Sequence, residues 1–272
     1  MTTQQPTILV TGATSGLGRA VALTLAESKS KLLLHGRSAQ RLQQLHDDLT
    51  DATAEVEVLQ ADLAELAQVA DLAQQVFDLT DQLNVLVHNA GVGKGASDTR
   101  EVSADGYELR LAVNHLAPFA LTHHVLPLLT RGAPSRIINV ASGAQEPVNL
   151  DDPHLERHYT GNRAYAQSKF AMVATGFTLA RLLPADVTTV NSLHPATLMP
   201  TRMVHEGYEH TVDEIQTGVN SVMNLIRSPE LEGITGQYFS FQQPATAHPE
   251  TYNAHMQAEL WRLSESLTGV RY

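Results

Sequence analysis

The chain has 272 residues, a formal net charge of −11, 43% hydrophobic and 17% charged residues, and no cysteine. That length suits one large α/β unit. The lack of thiols excludes disulfides, thiolate catalysis and zinc–thiolate sites, and the charge argues against nucleic acid or an anionic membrane surface as a partner. No window holds the ~20 apolar residues of a membrane span, and the opening MTTQQPTILV lacks a basic region followed by a long apolar run. The expectation is a cytoplasmic protein, not inserted in a membrane, that acts on a small molecule.

Short apolar runs with β-branched residues recur at Thr7–Val10, Leu32–His35, Val56–Ala61, Asn84–His88, Arg136–Ala141, Val187–His194 and Gln237–Phe241. Their length and composition suit buried strands. Helical periodicity occupies Leu17–Glu27, Leu63–Leu79 and Ala164–Leu183, and strand–helix alternation of this kind predicts a parallel sheet covered on both faces. No repeat, low-complexity tract or linker divides the series. The expected fold is therefore a single α/β domain over 1–272, a Rossmann-type doubly wound parallel sheet of about seven strands. Two additions are expected: an irregular, mobile substrate loop at 197–211 and a C-terminal helical extension at 251–268 that carries the only tryptophan, Trp261.

The first strand runs into TGATSGLGRA, with Gly12, Gly16 and Gly18 opening the first helical run. Glycines at such a turn let the backbone approach a pyrophosphate and aim the helix's amides at it. Thr14, Ser15, Gly16, Leu17 and Gly18 are accordingly expected to face a dinucleotide. A free ribose 2′-hydroxyl would call for an acidic residue about 20 positions onward, but no Asp or Glu occurs from Ser28 to His46. HGRS places Arg37 at that turn, beside Ser38 and one helical turn before Arg41. Such a set suits a 2′-phosphate, so NADP(H) is expected in preference to NAD.

Tyr165 and Lys169, in AYAQSK, stand four residues apart, on one face of a helix with the ammonium near the phenol. Alone, that spacing is common surface decoration. Its company changes the reading: the three glycines, then NAG (Asn89, Ala90, Gly91) after the fourth strand, Asn114 mid-helix and Ser142 after the fifth strand. In this order the residues resemble the short-chain dehydrogenase/reductase family over nearly the whole chain. The segments VNHLAPFALT, RIINVASGAQ, AYAQSK, VNSLHPA and LWRLSESLTG are similar to its retinol-dehydrogenase-like branch, which in these segments resembles the light-dependent protochlorophyllide reductases. The resemblance implies that Tyr165 is the general acid/base, Lys169 its electrostatic partner and ribose ligand, Ser142 the carbonyl positioner and Asn114 the holder of a relay water. It also implies cofactor contacts from Asp62, Leu63, Asn89, Ala90, Gly91, Pro195 and Thr197. Asp62 reads equally well as a helix N-cap for the run from Leu63. The nearby ammonium and the nicotinamide's positive charge are expected to move the Tyr165 phenol from about 10 toward working pH.

Departures from the family pattern are as legible as matches. HPATLMPTRM carries Ala196 where the family usually has glycine and Pro200 where it has threonine, with Thr201 one later. His88 replaces an asparagine before NAG, and Ala117-Pro118 stands for Gly-His. No metal site is expected, since neither HEGYEH (His205–His210) nor His123-His124 matches the H-E-x-x-H spacing. Two other functions compete with an NADP-dependent carbonyl–alcohol oxidoreductase: a non-catalytic NADP-binding sensor or scaffold, and an extended epimerase or dehydratase. The presence of Tyr165 and Lys169 opposes the first. The second needs a larger substrate domain than the ~80 residues after Leu193 allow. Homo-oligomerisation stays open.

Overall fold

The fold is that of a computed structural model describing residues 5–272; Met1–Gln4, part of the stretch read against a leader, lie outside the described residues. All seven expected strands form, each within one residue of its expected bounds: β1 (Thr7–Val10), β2 (Lys31–Gly36), β3 (Glu55–Gln60), β4 (Val85–His88), β5 (Ser135–Val140), β6 (Thr188–His194) and β7 (Tyr238–Ser240). They pair in parallel in the order β3-β2-β1-β4-β5-β6-β7. An eighth strand, β8 (Gln243–Ala245), turns back antiparallel on β7. QPA escaped the strand reading because it is three residues long and contains a proline, which only an edge strand tolerates.

The helices are α1 (Gly16–Ala26), α2 (Ala39–Asp48), α3 (Leu66–Leu79), a short α4 (Leu109–Leu111) that passes through a π-helical turn (Ala112–Leu116) into α5 (Ala117–Arg131), α6 (Gly161–Leu182), α7 (Arg202–Gly207), α8 (Ile215–Arg227) and α9 (Ala254–Thr268). Alternate strand residues face opposite layers. Leu9, Leu33, Leu86, Ile137 and Val190 pack with Leu72 and Val76 of α3 and Val125 and Leu128 of α5. Ile8, Val10, Leu32, Val87, Ile138 and Leu193 pack with Val21 and Leu25 of α1 and Val219 and Val222 of α8. Both faces of the sheet are thus buried, which is why the strands read as unbroken apolar runs.

Three expectations need correction. The stretch 197–211 is not irregular throughout, since Thr201 caps α7 within it. The C-terminal extension begins as a 3-10 turn, Pro249–Tyr252, and the α-helix starts only at Ala254, capped by Asn253. Asp62 is not the N-cap of α3. That helix starts at Leu66, whose amide is held by Asp105 at 2.8 Å; Asp62 accepts from the Ala64 amide at 3.0 Å in a local turn.

Beyond the sheet, α9 lies on α6, with Leu260 buried among Phe170, Ala171 and Ala174. The chain then returns to α5, where Tyr272 donates to the Phe119 carbonyl at 2.8 Å. Phe119 meets Trp261 and Tyr272 edge to face, each at 5.0 Å between centroids, and those two rings tilt against each other at 4.9 Å.

Candidate active site

Because β1 to β7 run parallel, the residues that follow each strand gather on one edge of the sheet. Thr11–Gly18 follow β1, Arg37 follows β2, Asp62 follows β3, Asn89–Gly95 follow β4, Ser142 follows β5 and Pro195–Thr197 follow β6. The strand order reverses between β1 and β4, and such a switch point opens a crevice between two diverging loops.

Those two loops are locked by side chains bonded to main chain. Asn89 donates to the carbonyls of Thr11 and Gly12 at 2.9 and 3.1 Å, while the amides of Asn89 and Ala90 donate to the Thr11 hydroxyl at 3.0 and 3.1 Å. Gly18 has no room for a side chain, since a Cβ there would lie 2.2 Å from the Gly12 carbonyl oxygen and 2.3 Å from the Asn89 amide nitrogen. Gly12, at φ +68°, rests its backbone on Ala90 in the same way. Ser15 leads into α1 without a side-chain cap, and no acidic residue occupies the helix's first turn. Its first amides are therefore donors for an anion. This cradle fits a dinucleotide pyrophosphate. Thr14 is half-buried with its methyl facing Gly36, whereas Leu17 and Leu63 are core side chains that could offer a ligand only main-chain groups.

Arg37 has a side chain 74% exposed and stands 3.7 Å from Asp62, itself largely buried, while Ser38 caps α2 by accepting from the Arg41 amide. So exposed an ion pair holds Arg37 weakly, leaving its guanidinium available to an anion.

On the other side of the crevice, α6 presents Tyr165 and Lys169 from one face. Lys169 is 3% exposed and donates to the Val140 carbonyl at 2.8 Å. Its ammonium lies 5.9 Å from the Tyr165 ring centroid, and burial lowers its pKa to about 8. Burial pushes the Tyr165 phenol up, and the neighbouring Ser142 hydroxyl opposes this only in part. With the protein's own groups alone, desolvation wins and Tyr165 is a neutral phenol at neutral pH.

Asn114 lies in the π turn, fully buried. Its side chain is entirely engaged: the oxygen accepts from the Val92 amide at 2.7 Å, and the amide donates to the Val92 carbonyl and the Ser168 hydroxyl, both at 2.9 Å. Ser168 in turn donates to the Tyr165 carbonyl at 2.7 Å. The π turn is thereby tied to the tyrosine. Ser142 is fixed through its main chain, whose carbonyl accepts from Tyr238 and Gln145, both at 2.9 Å. Burial pushes the Tyr238 phenol up to about 12. Thr11, Ser168, Tyr238 and Gln145 escaped sequence reading. Only Thr11 carried a signal, as the residue opening the glycine turn.

The segment after β6 shows where the family departures lead. The Thr197 amide donates to Asp213 at 2.6 Å and its hydroxyl pairs with His194 at 3.2 Å, so both its polar groups are already partnered. Pro195 is buried. The segment's methionines point apart: Met199 lies against Leu17 and Gly218, whereas Met203 meets Gly91 and Gly93. Tyr208 covers the Lys94 ammonium at 4.3 Å. Of the histidines, His88 pairs with Thr122 at 2.7 Å and is held neutral by burial, and His123 donates to the Arg271 carbonyl.

Fold and edge together are those of a nucleotide-binding α/β oxidoreductase. The chain belongs to the short-chain dehydrogenase family, whose model matches residues 6–211. It is 31% identical to human Retinol dehydrogenase 13, with 97% of this chain and 85% of that protein covered. It is 33% identical to DnrU of Streptomyces sp. (strain C5), named as a candidate daunorubicin C-13 ketoreductase, with 97% and 92% covered. A solved structure of an uncharacterised protein from Mycobacterium Paratuberculosis matches with a TM-score of 0.78 and 28% identity, covering 98% of this chain and 95% of that one. Members of the family use NAD(P) cofactors and act on small molecules. Among the described residues, no helix is long and apolar enough to cross a membrane.

Proposed function

We propose that this protein is an NADP-dependent oxidoreductase that interconverts an aldehyde or ketone and its alcohol on a mainly apolar small molecule, acting in the cytoplasm as one domain. The observation that carries the reading is the convergence of Tyr165 and the buried Lys169 on the end of β5 that Ser142 follows, with the ammonium 5.9 Å from the Tyr165 ring centroid and donating to the Val140 carbonyl. Bound NADP(H) would supply or accept the hydride. It would be held by the Gly12–Gly18 turn, the Asn89–Gly91 loop, Lys169, and Arg37 with Ser38 at the 2′-phosphate. Asp62 and the main chain at Leu63 would serve the adenine.

In the direction of reduction, the Ser142 hydroxyl and the Tyr165 phenol donate hydrogen bonds to the substrate carbonyl oxygen and orient it. As that oxygen gains negative charge, the phenolic proton of Tyr165 moves to it. The ammonium of Lys169 then favours the resulting phenolate. Because the Asn114 side chain is fully engaged, its main-chain carbonyl is the group left to hold a relay water. Oxidation of the alcohol reverses these transfers, with Tyr165 as base. Met203 and Tyr208, the two loop side chains that reach the crevice, make the substrate side apolar. The names of the two curated relatives, one for an alcohol and one for a ketone, support the reaction class.

The test is NADPH oxidation against a panel of aldehydes and ketones, run beside Tyr165→Phe. Turnover of at least one apolar carbonyl that disappears in the variant supports the reading. Binding of NADPH without turnover of any would instead favour a sensor.

A further inference from the structure

Among the described residues Arg110 is the largest fully buried side chain, at 1% exposure, and nothing in the mechanism above uses it. It sits one helical turn before Asn114, in the apolar run LRLAVNHLA. A buried guanidinium requires partners for every donor, and these partners are specific. The Nε donates to the Gly93 carbonyl at 3.0 Å and one Nη to the Lys94 carbonyl at 3.2 Å. The charge is met by Glu101 at 3.1 Å and by the buried Glu108 at 3.4 Å. Glu108 also accepts from the Leu111 amide at 2.8 Å, capping the turn that carries Arg110.

The two carbonyls that Arg110 grips continue the peptide that Asn114 grips at Val92. Three consecutive residues, Val92 to Lys94, are thus fixed by two side chains from a single helical face. The same segment adjoins the rest of the site. A Cβ on Gly91 would lie 3.6 Å from the Lys169 nitrogen, Gly93 carries Met203, and Lys94 meets Tyr208. We propose that Arg110 is a positioning residue for the reaction assigned above: it holds the Val92–Lys94 segment in the one conformation that seats Asn114 and Lys169 and receives the Met203–Tyr208 loop. The proposal rests on the proposed function for its kinetic part and on geometry alone for its structural part.

Arg110→Met by itself would leave Glu108 buried without its cation, a penalty unrelated to the site. The informative variant is therefore Arg110→Met with Glu108→Gln, which keeps an acceptor for the Leu111 amide, set beside Arg110→Lys, which keeps charge but not the two-carbonyl fork. Amide hydrogen exchange and kcat with saturating NADPH and substrate are read on each. The expected result is a double variant with parent-like exchange in β1 to β6, exchange at Gly93–Gly95 at least tenfold faster, and kcat lowered at least tenfold, with Arg110→Lys restoring less than half of the lost kcat. Exchange at Gly93–Gly95 unchanged, or kcat within twofold of the parent, would overturn the proposal. So would exchange accelerated throughout the sheet in both variants, because Arg110 would then be a fold keystone only. If the parent turns over no carbonyl, the functional reading fails, and the exchange result still decides whether Arg110 anchors the segment.

Discussion

The two walls of the crevice are built by different means. The β1–β4 wall is side chain bonded to main chain: the Asn89 amide bonds two carbonyls, the Thr11 hydroxyl bonds two amides, and Gly18 leaves no space for a single carbon. The wall from Thr197 to Asp213 reaches the crevice through flexible side chains, with Met203 lying on the main chain at Gly93, Met199 on that at Gly218 and Tyr208 against Lys94. Each of the first wall's contacts needs one particular side chain, or none at all at Gly18, so that wall admits little variation. Flexible side chains re-pack, so the second can be retuned for a different substrate without disturbing the first.

The sharpest way to break this comparison is Gly18→Val. Its side chain would have to displace main chain at Gly12, and overpacking of that kind should cost about 3 kcal/mol of stability and abolish NADPH binding at micromolar concentrations. Denaturant unfolding and fluorescence titration measure both. A variant of parental stability that binds normally would show that the wall is not rigid.

Lys169→Met separates stability from function on the opposite side. The folded pKa of about 8 lies below the unfolded value of about 10.4, so the buried ammonium lowers stability fully at pH below 8. That cost is relieved as pH rises from about 8 to 10.4. Lys169→Met should therefore be more stable than the parent at pH 7 by about 2–3 kcal/mol, and the difference should shrink across that window while turnover is lost. A parent that is more stable than the variant at pH 7 would contradict the assignment of burial as the dominant influence.

Arg37→Ala touches the first wall only at an exposed side chain. It should weaken NADPH by about 1.5–3 kcal/mol, the value of a charge-assisted contact, and leave NADH unaffected. Equal losses for both nucleotides would remove the preference for the 2′-phosphate. Gly207→Ala is the mild counterpart to Gly18→Val. Its Cβ would approach the Lys94 side chain at 2.9 Å, near the tip of a flexible chain, so stability and kcat/KM should both stay within about 0.5 kcal/mol of the parent. A large loss would mean that the second wall is as rigid as the first.

The same division explains what could be read before the structure. The strands and the glycine turn were legible because buried parallel strands read as apolar runs and because only glycine suits a main-chain cradle. Tyr165, Lys169, Ser142 and Asn114 were legible by order and spacing, and the fold brings them to one edge. What escaped was decided by tertiary packing. β8 is too short for a pattern, α7 lies in a stretch with no periodicity, and Asp62 lost the N-cap role because Asp105, 39 residues from Leu66, took it. For Tyr165, spacing revealed a neighbouring charge but not the burial that pushes the phenol up before the nicotinamide's charge is counted. Arg110 left one trace, a lone cation in an apolar run, which identifies a buried charge but not the carbonyls it serves.

The central claim is that Tyr165 gives its proton to the substrate oxygen. The most direct measurement is the pH–rate profile for reduction of a verified carbonyl by the parent, Tyr165→Phe and Lys169→Ala. Tyr165→Phe should fold normally, bind NADPH and turn over at least 10²-fold more slowly, while Lys169→Ala should weaken NADPH and move the alkaline limb that reports Tyr165 upward. Retention by Tyr165→Phe of more than about a tenth of parental turnover would contradict the account, because acid catalysis is worth roughly 10²–10⁴-fold.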